Sequence, residues 1–387
     1  MIAAGSGLVT GKRADAAGRE AARAAMERSG AGRADVALVF ATADAYRESA
    51  GLLEAVRRET GAPSILGCSG AGVLTEAAEA EGGPAVAVLV VSGGGDLLHP
   101  FLLANREVLD DEAGAELGDR VGFSAMDEGA LVILPDAMNL RPDGFLLGLC
   151  GRLEPVPVVG GVAAGMPQFE LYDAGALHGA LPGLVMSRTP IVGVAHGCEP
   201  IGEPYVVTGA EANTIQAIAG RRPVEVLREA IERVPGYEER VPRMGVFAGL
   251  AVDVSKSPLE RGDFLIRALA GLDQDSGAIT LPDPVQVGQT IQFQIRDARA
   301  AHADLEAMLG RVRAALGDRP PAFGLYFNCA GRGQGLYGEP DHDVRLIRER
   351  LGEWPLVGFF GNGEFAPVGK ENLFHTYTGV LVLVPQA

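Results

Sequence analysis

One arrangement of residues occurs three times along this chain, and it constrains the fold more than any other feature. In the first copy the apolar run Ala37–Phe40 precedes a helix-like stretch. Pro63, Ile65-Leu66, Gly67 and Gly72 follow, then the hydrophobic run Ala85–Val91. The second copy runs Ala130–Leu134, then Pro157, Val158-Val159, Gly160 and Gly165, then Gly183–Met186. The third runs Gly324–Phe327, then Pro355, Leu356-Val357, Gly358 and Gly363, then Thr378–Val384. From strand start to first glycine the distances are 30, 30 and 34 residues. Such spacing predicts an internally repeated strand–helix–strand–Gly-loop–strand unit. Each G-x-x-x-x-G pair lets the chain turn tightly and brings bare backbone close to a neighbour, either a ligand or another strand. It is no nucleotide fingerprint: no GxGxxG opens a helix and no GxxxxGK[ST] is present.

Helical periodicity marks Asp15–Ser29, Ala50–Glu59, Pro223–Arg233, Ala298–Leu316 and Val344–Leu351, with β-branched runs between them. The alternation predicts an α/β protein of mixed α and β layers. With 387 residues the chain is long enough for two or three domains. The boundary is placed at Gly220-Arg221-Arg222-Pro223, giving domains over 30–219 and 220–384.

Charge bounds the partners. Of the net −17, residues 1–218 carry −14, from 28 acidic and 14 basic side chains. A surface of that sign repels phosphate backbones and anionic lipid, so neither nucleic acid nor membrane insertion is expected. The longest apolar run, Pro84–Val91, is far below the ~20 residues of a membrane-spanning helix. Cys68, Cys150, Cys198 and Cys329 are scattered singly, unlike a disulfide framework or a zinc site. A cytoplasmic protein needing no metal or cofactor is the reading that fits.

The polar residues that could carry chemistry lie in the last third. Leu265, Arg267 and Leu269 share one face of an alternating segment, and an arginine between leucines calls for a carboxylate. In Thr290–Asp297, Gln292, Gln294 and Arg296 alternate with Ile291, Phe293 and Ile295, and Asp297 stands at a helix N-cap. Asn328, Cys329 and Arg332 sit in a loop after a strand, where a nearby guanidinium would favour a thiolate. A cysteine nucleophile would need His342 or His375 as its base. His342-Asp343 has the look of a metal dyad, but a helix capped by Asp341 accounts for it more simply. Asn362, Glu364 and Tyr377 complete the cluster. An arginine fork binds a carboxylate and a glutamate accepts from an ammonium, so the set would suit a zwitterion. Arg267, Arg296, Asn328, Cys329, Arg332, Asn362, Glu364 and Tyr377 are therefore the candidate ligand-binding residues. A solvated face or a structural ion pair is the plainer alternative for the arginines.

Several stretches together resemble the FIST family, named for F-box and intracellular signal transduction proteins. They are GCSGAGV (67–73), PVVGGVAAG (157–165), GLVMSRTPIVGVAHGCEPIG (183–202), FLIRALAGLDQDSGAITLPDPVQVGQTIQFQIRDA (264–298), FNCAGRG (327–333), PLVGFFGNGEFAPVG (355–369) and HTYTGVL (375–381). The resemblance implies a FIST N-terminal region followed by a FIST C region. It also implies a cytoplasmic sensor of small ligands, amino acids among them. No kinase, methyl-accepting, diguanylate-cyclase or F-box segment is evident, so signalling would pass through a separate partner. Two other readings stay open, a cysteine-dependent enzyme using Cys329 and a protein-interaction scaffold.

Overall fold

The computed structural model describes all residues except 1, 44–45, 47–49, 94–96, 105, 123–127, 154–155, 174, 237, 239–244, 254–255, 257, 260 and 387. The three copies seen in the sequence fold as three copies. The first comprises β1 (Ala3–Thr10), α1 (Ala14–Ser29), β2 (Val36–Thr42), α2 (Ala50–Thr60), β3 (Ser64–Gly70), β4 (Gly72–Thr75), β5 (Glu79–Glu81) and β6 (Ala85–Ser92). The second comprises β7 (Leu98–Leu103), α3 (Asp111–Val121), β8 (Ala130–Ile133), α4 (Pro142–Cys150), β9 (Val158–Gly161), β10 (Glu170–Tyr172), β11 (Gly175–Leu177) and β12 (Leu181–Met186).

The third copy begins with β13 (Ile191–His196) and is interrupted in sequence. The interruption holds β14 (Cys198–Pro200), β15 (Tyr205–Glu211), β16 (Thr214–Ile218), α5 (Pro223–Glu232), β17 (Val246–Ala251), β18 (Phe264–Ala268), β19 (Gly271–Leu272), β20 (Ile279–Thr280) and β21 (Thr290–Arg296). The copy then resumes with α6 (Ala298–Leu316), β22 (Pro321–Cys329), α7 (Gln334–Tyr337), α8 (His342–Leu351), β23 (Leu356–Gly361), β24 (Glu364–Val368), β25 (Glu371–His375) and β26 (Thr378–Pro385).

Each copy builds one sheet and lends a hairpin to another. The first sheet runs β1-β6-β2-β3 and is extended by β10-β11; the second runs β7-β12-β8-β9 and takes β24-β25; the third runs β13-β26-β22-β23 and takes β4-β5. The central pairs β2–β3, β8–β9 and β22–β23 are parallel, so each needs a crossover helix, supplied by α2, α4 and α8. Both faces of these strands are covered, which is why they read as unbroken apolar runs. Along β2, Val36, Leu38 and Phe40 enter the core shared by the three sheets, while Ala37, Val39 and Ala41 enter the helix layer.

The first glycine of each loop serves strand packing. A Cβ on Gly67, Gly160 or Gly358 would fall on the carbonyl oxygen of Val39, Ile133 or Tyr326 respectively, on the neighbouring parallel strand. Any side chain there would push the central pair apart.

Packing divides the chain into two compact units. One holds Met1–Val194, Glu306–Phe374 and Thr378–Ala387; the other holds Ala195–Leu305 and His375–Tyr377. This partition cuts the chain elsewhere than at Gly220. The second unit packs β15, β17 and β21 with α5 over Val207, Val226, Leu227, Ile291 and Phe293. The alternating segment of Leu265, Arg267 and Leu269 is not one strand, since β18 ends at Ala268, and β21 is covered on both faces, Gln292 and Gln294 included.

Candidate functional site

In the first unit the second halves of the three glycine loops meet and bond to one another. Ser69 Oγ donates to Ala164 O (3.0 Å), and Ala164 N returns a bond to Ser69 O (3.0 Å). Val162 N donates to Gly363 O (2.9 Å), and Asn362 reaches back through its N to Val162 O (3.0 Å) and its Nδ2 to Ala163 O (2.9 Å). Ala71 N closes the ring on Phe360 O (2.9 Å). Beside this junction lies a cavity of about 340 Å³, walled by Thr42, Ala43, Gly70, Ala71, Gly82–Pro84 and Gly165. It stands beyond the carboxyl ends of the parallel pair β2–β3, where ligands of α/β sheets characteristically sit. Its wall is largely main chain, and a Cβ on Gly165 would overlap Ala43.

The equivalent places in the other copies are filled with side chains. Thr42, Asp136 and Cys329 occupy the same position, three residues beyond Val39, Ile133 and Tyr326, the residues that face the first glycines, and lie opposite Ala85, Ala180 and Thr378. Thr42 Oγ1 accepts from Ala85 N (3.0 Å), so in the first copy this end is closed by a hydroxyl alone. In the second copy Asp136 accepts from Met138 N (2.7 Å), Gly179 N (2.8 Å) and the Gln168 amide, with the fully buried Glu170 near it. Burial, then the Asp136 charge, pushes Glu170 up to about 9. In the third, Glu364 accepts from Thr378 Oγ1 (2.7 Å) and Thr378 N (3.3 Å), and the Cys329 thiol bonds to it. Burial raises Glu364 to about 8, against the pull of Thr378 and Arg332.

The third copy also holds the most concentrated polar cluster. Asp343 Oδ2 accepts from Tyr326 Oη (2.8 Å), Asn328 Nδ2 (3.1 Å), and Arg332 Nε (3.2 Å) and Nη2 (3.1 Å). Its Oδ1 faces His342 Nδ1 (2.8 Å), and Tyr337 stacks on the His342 ring with centroids 3.4 Å apart. Burial would raise this carboxyl, but Arg332 and the His342 bond hold it well below the usual range. Arg332 and Asp343 are both completely enclosed. Asp341 does not cap α8 with its side chain: its carboxylate accepts from Glu79 N (2.6 Å), and Glu79 in turn accepts from Val344 N (3.1 Å).

The sequence-predicted residues thus fall into two groups. Asn328, Cys329, Arg332, Asn362 and Glu364 belong to the first unit. Asn328 and Arg332 converge on Asp343, Cys329 on Glu364, and the exposed Asn362 ties two glycine loops together. Arg267, Arg296 and Tyr377 belong to the second unit. Arg267 is buried with the carboxylate its setting calls for, that of Asp283, and also donates to Ile266 O (3.0 Å). Arg296 lies opposite Cys198 in the β14–β21 ladder. Tyr377 adopts a positive φ of 62° and packs on Phe247, ring centroids 4.4 Å apart. Asp297 caps α6 through Ala300 N (2.9 Å). The cavity residues Thr42, Ala43, Gly82 and Gly83 were missed, although Gly82-Gly83-Pro84 is a legible turn.

Comparison with known proteins agrees along the chain. The FIST N domain matches residues 35–221 and the FIST C domain matches 223–367. An uncharacterized protein of Mycobacterium tuberculosis is 35% identical over 385 residues, covering 98% of each chain. The human F-box only protein 22 is 30% identical over 95 residues, 20% of this chain and 24% of that one. A crystal structure of cyanuric acid hydrolase from A. caulinodans aligns across both chains at 10% identity and a TM-score of 0.35, too slight a likeness to bear on the fold.

Proposed function

The chain belongs to the FIST family, whose domains are sensory, and we propose that it is a cytoplasmic sensor of a small polar metabolite that signals through a separate protein. The observation that carries this reading is the cavity of about 340 Å³ at the meeting of the glycine loops. Its size lies at the small end of the range for ligand sites, about 300–1,000 Å³. Its wall offers peptide N–H and C=O groups in place of long side chains, a surface suited to the ammonium and carboxylate of an amino acid. No helix among the described residues is long and apolar enough to cross a membrane.

A thermal-shift screen of the amino acids and related polar metabolites tests it, since a ligand that binds only the folded state raises the melting temperature. Gly83 lines the cavity, and a Cβ there meets nothing within 4 Å. Gly83→Leu is therefore expected to fold normally and to abolish the shift. A screen without a stabilising compound, or a full response in Gly83→Leu, rejects the cavity as the site.

A cysteine-dependent activity has weaker support. The Cys329 thiol is 7% exposed and bonded to the Glu364 carboxyl, so a reagent or substrate has little access to the sulfur. Slow reaction of Cys329 with iodoacetamide at pH 7, at or below the rate of a free thiol, is the expected result. Fast, selective alkylation would revive the enzyme reading.

A further inference from the structure

The three places where a borrowed hairpin joins its host sheet are built to one plan. At each, a hairpin residue accepts the backbone N–H two positions before the loop's first glycine. Glu76 accepts from Leu356 N (3.1 Å), Asp173 from Ile65 N (3.3 Å) and Asn372 from Val158 N (2.8 Å). At the first two joints the acceptor is a carboxylate and an arginine meets it: Arg28 on Glu76 (3.1 Å), Arg57 on Asp173 (3.2 Å). Arg57 also donates to Asp173 O on the hairpin and to Ala62 O and Pro63 O in the loop after α2 (2.9 Å each), tying helix, loop and hairpin together.

The third joint departs from the plan. Its acceptor is neutral, and Asn372 itself serves the carbonyl equivalent to that of Pro63, donating to Val156 O (2.9 Å) and to Cys150 Sγ (3.6 Å). Between α4 and the β24–β25 hairpin a groove of about 490 Å³ stays open. Leu147 stands 75% exposed in it, with Leu153 and Leu373 beside it and Asp143, Glu371 and Lys370 as the charged groups among its lining. In the register of the first glycines, Cys150 of α4 stands where α2 carries Arg57, and Leu147, one turn earlier on α4, faces solvent.

We propose that this groove docks a protein partner through an arginine flanked by apolar side chains, the arginine meeting the two acids of the lining, Asp143 and Glu371, which outweigh the base Lys370. Charge favours such an occupant over a second copy, because the chain carries −17 and a basic segment is drawn to it. The proposal rests on the reading that the signal leaves through a separate protein. Its site and its probe differ from those of the metabolite cavity, so either can fail without the other.

The probe is a fluorescein-labelled heptapeptide alternating leucine and arginine, titrated against the full chain by anisotropy at ~150 mM salt, where loose surface attraction is screened. The wild type is expected to bind saturably, and Leu147→Asp to weaken binding by at least about tenfold, the loss of one good anchor. The direction is diagnostic: an added negative charge would strengthen non-specific attraction to a cationic peptide. Leu147 is exposed, so the variant keeps the wild-type melting temperature if its role is docking. No saturable binding, or equal or tighter binding by Leu147→Asp, overturns the proposal. So does a wild-type dimer in sedimentation that Leu147→Asp dissociates, which would assign the groove to a second copy.

Discussion

A carboxylate that receives Tyr326, Asn328, two nitrogens of Arg332 and His342 has little capacity left for a ligand, and Asp343 is such a group. Its partners come from the end of β22, the loop after it and the start of α8, so the cluster pins strand, loop and helix together. Asp343→Ala leaves a buried guanidinium unpaired and is expected to cost about 3–5 kcal/mol, measured by urea denaturation. A loss under about 1 kcal/mol would mean that the surrounding hydroxyls and amides carry the joint without the charge. The buried acids act in the opposite sense. Glu170 and Glu364 have folded-state values of about 9 and about 8, above an ordinary glutamic acid. The folded state therefore holds their protons more tightly than the unfolded chain does. Their stabilising effect is complete below about pH 4 and is lost as pH rises through 8 and 9. The urea midpoint is expected to fall from pH 5 to pH 9, with a flatter profile in the Glu170→Gln/Glu364→Gln double variant. A midpoint that holds steady or rises across that window in the wild type would contradict the burial of uncharged acids.

At the scale of elements, the sequence was most legible where geometry tolerates one solution. Gly67, Gly160 and Gly358 recur because each faces a carbonyl of the adjacent parallel strand, and that constraint is visible as spacing alone. Gly160→Ala is accordingly expected to abolish the cooperative transition or lower the melting temperature steeply, whereas Gly83→Ala, with open space around it, stays near wild type. Comparable losses in both variants would remove the strand-contact explanation. The hairpin exchange was not legible. Nothing in β10 announces that Glu170 will lie opposite Cys68 in the first copy's sheet, because a period-two pattern reports which face is buried and not which strand is the neighbour. The site suffered likewise. Arg267 read correctly as needing a carboxylate, yet Asp283 as its partner depends on a chain path that spacing does not encode. Arg332 beside Cys329 in sequence suggested an activated thiol; in space the guanidinium goes to Asp343 and the thiol to Glu364.

The whole molecule joins two sequence families, meeting at residues 221 and 223, with a packing division that follows neither. The reason lies in the third copy, which is interrupted after Val194 and resumes at Glu306. The ends of the interruption lie close together within the first unit, since a Cβ on Gly193 would overlap the Met308 side chain. An insertion whose ends nearly touch adds little closure entropy to its host, so the host should tolerate its removal. The only tryptophan, Trp354, reports on the host alone: it is 7% exposed and covers Gly324 on β22. Replacing Ala195–Leu305 with a short glycine-serine linker is therefore expected to keep the blue-shifted emission of a buried indole and one cooperative unfolding transition. Helix α6 loses its first turns in that variant, so some fall in melting temperature is expected with it. Red-shifted emission with no cooperative transition would show that the three sheets depend on the inserted unit to fold, and that the repeat is a pattern of strands without independent stability.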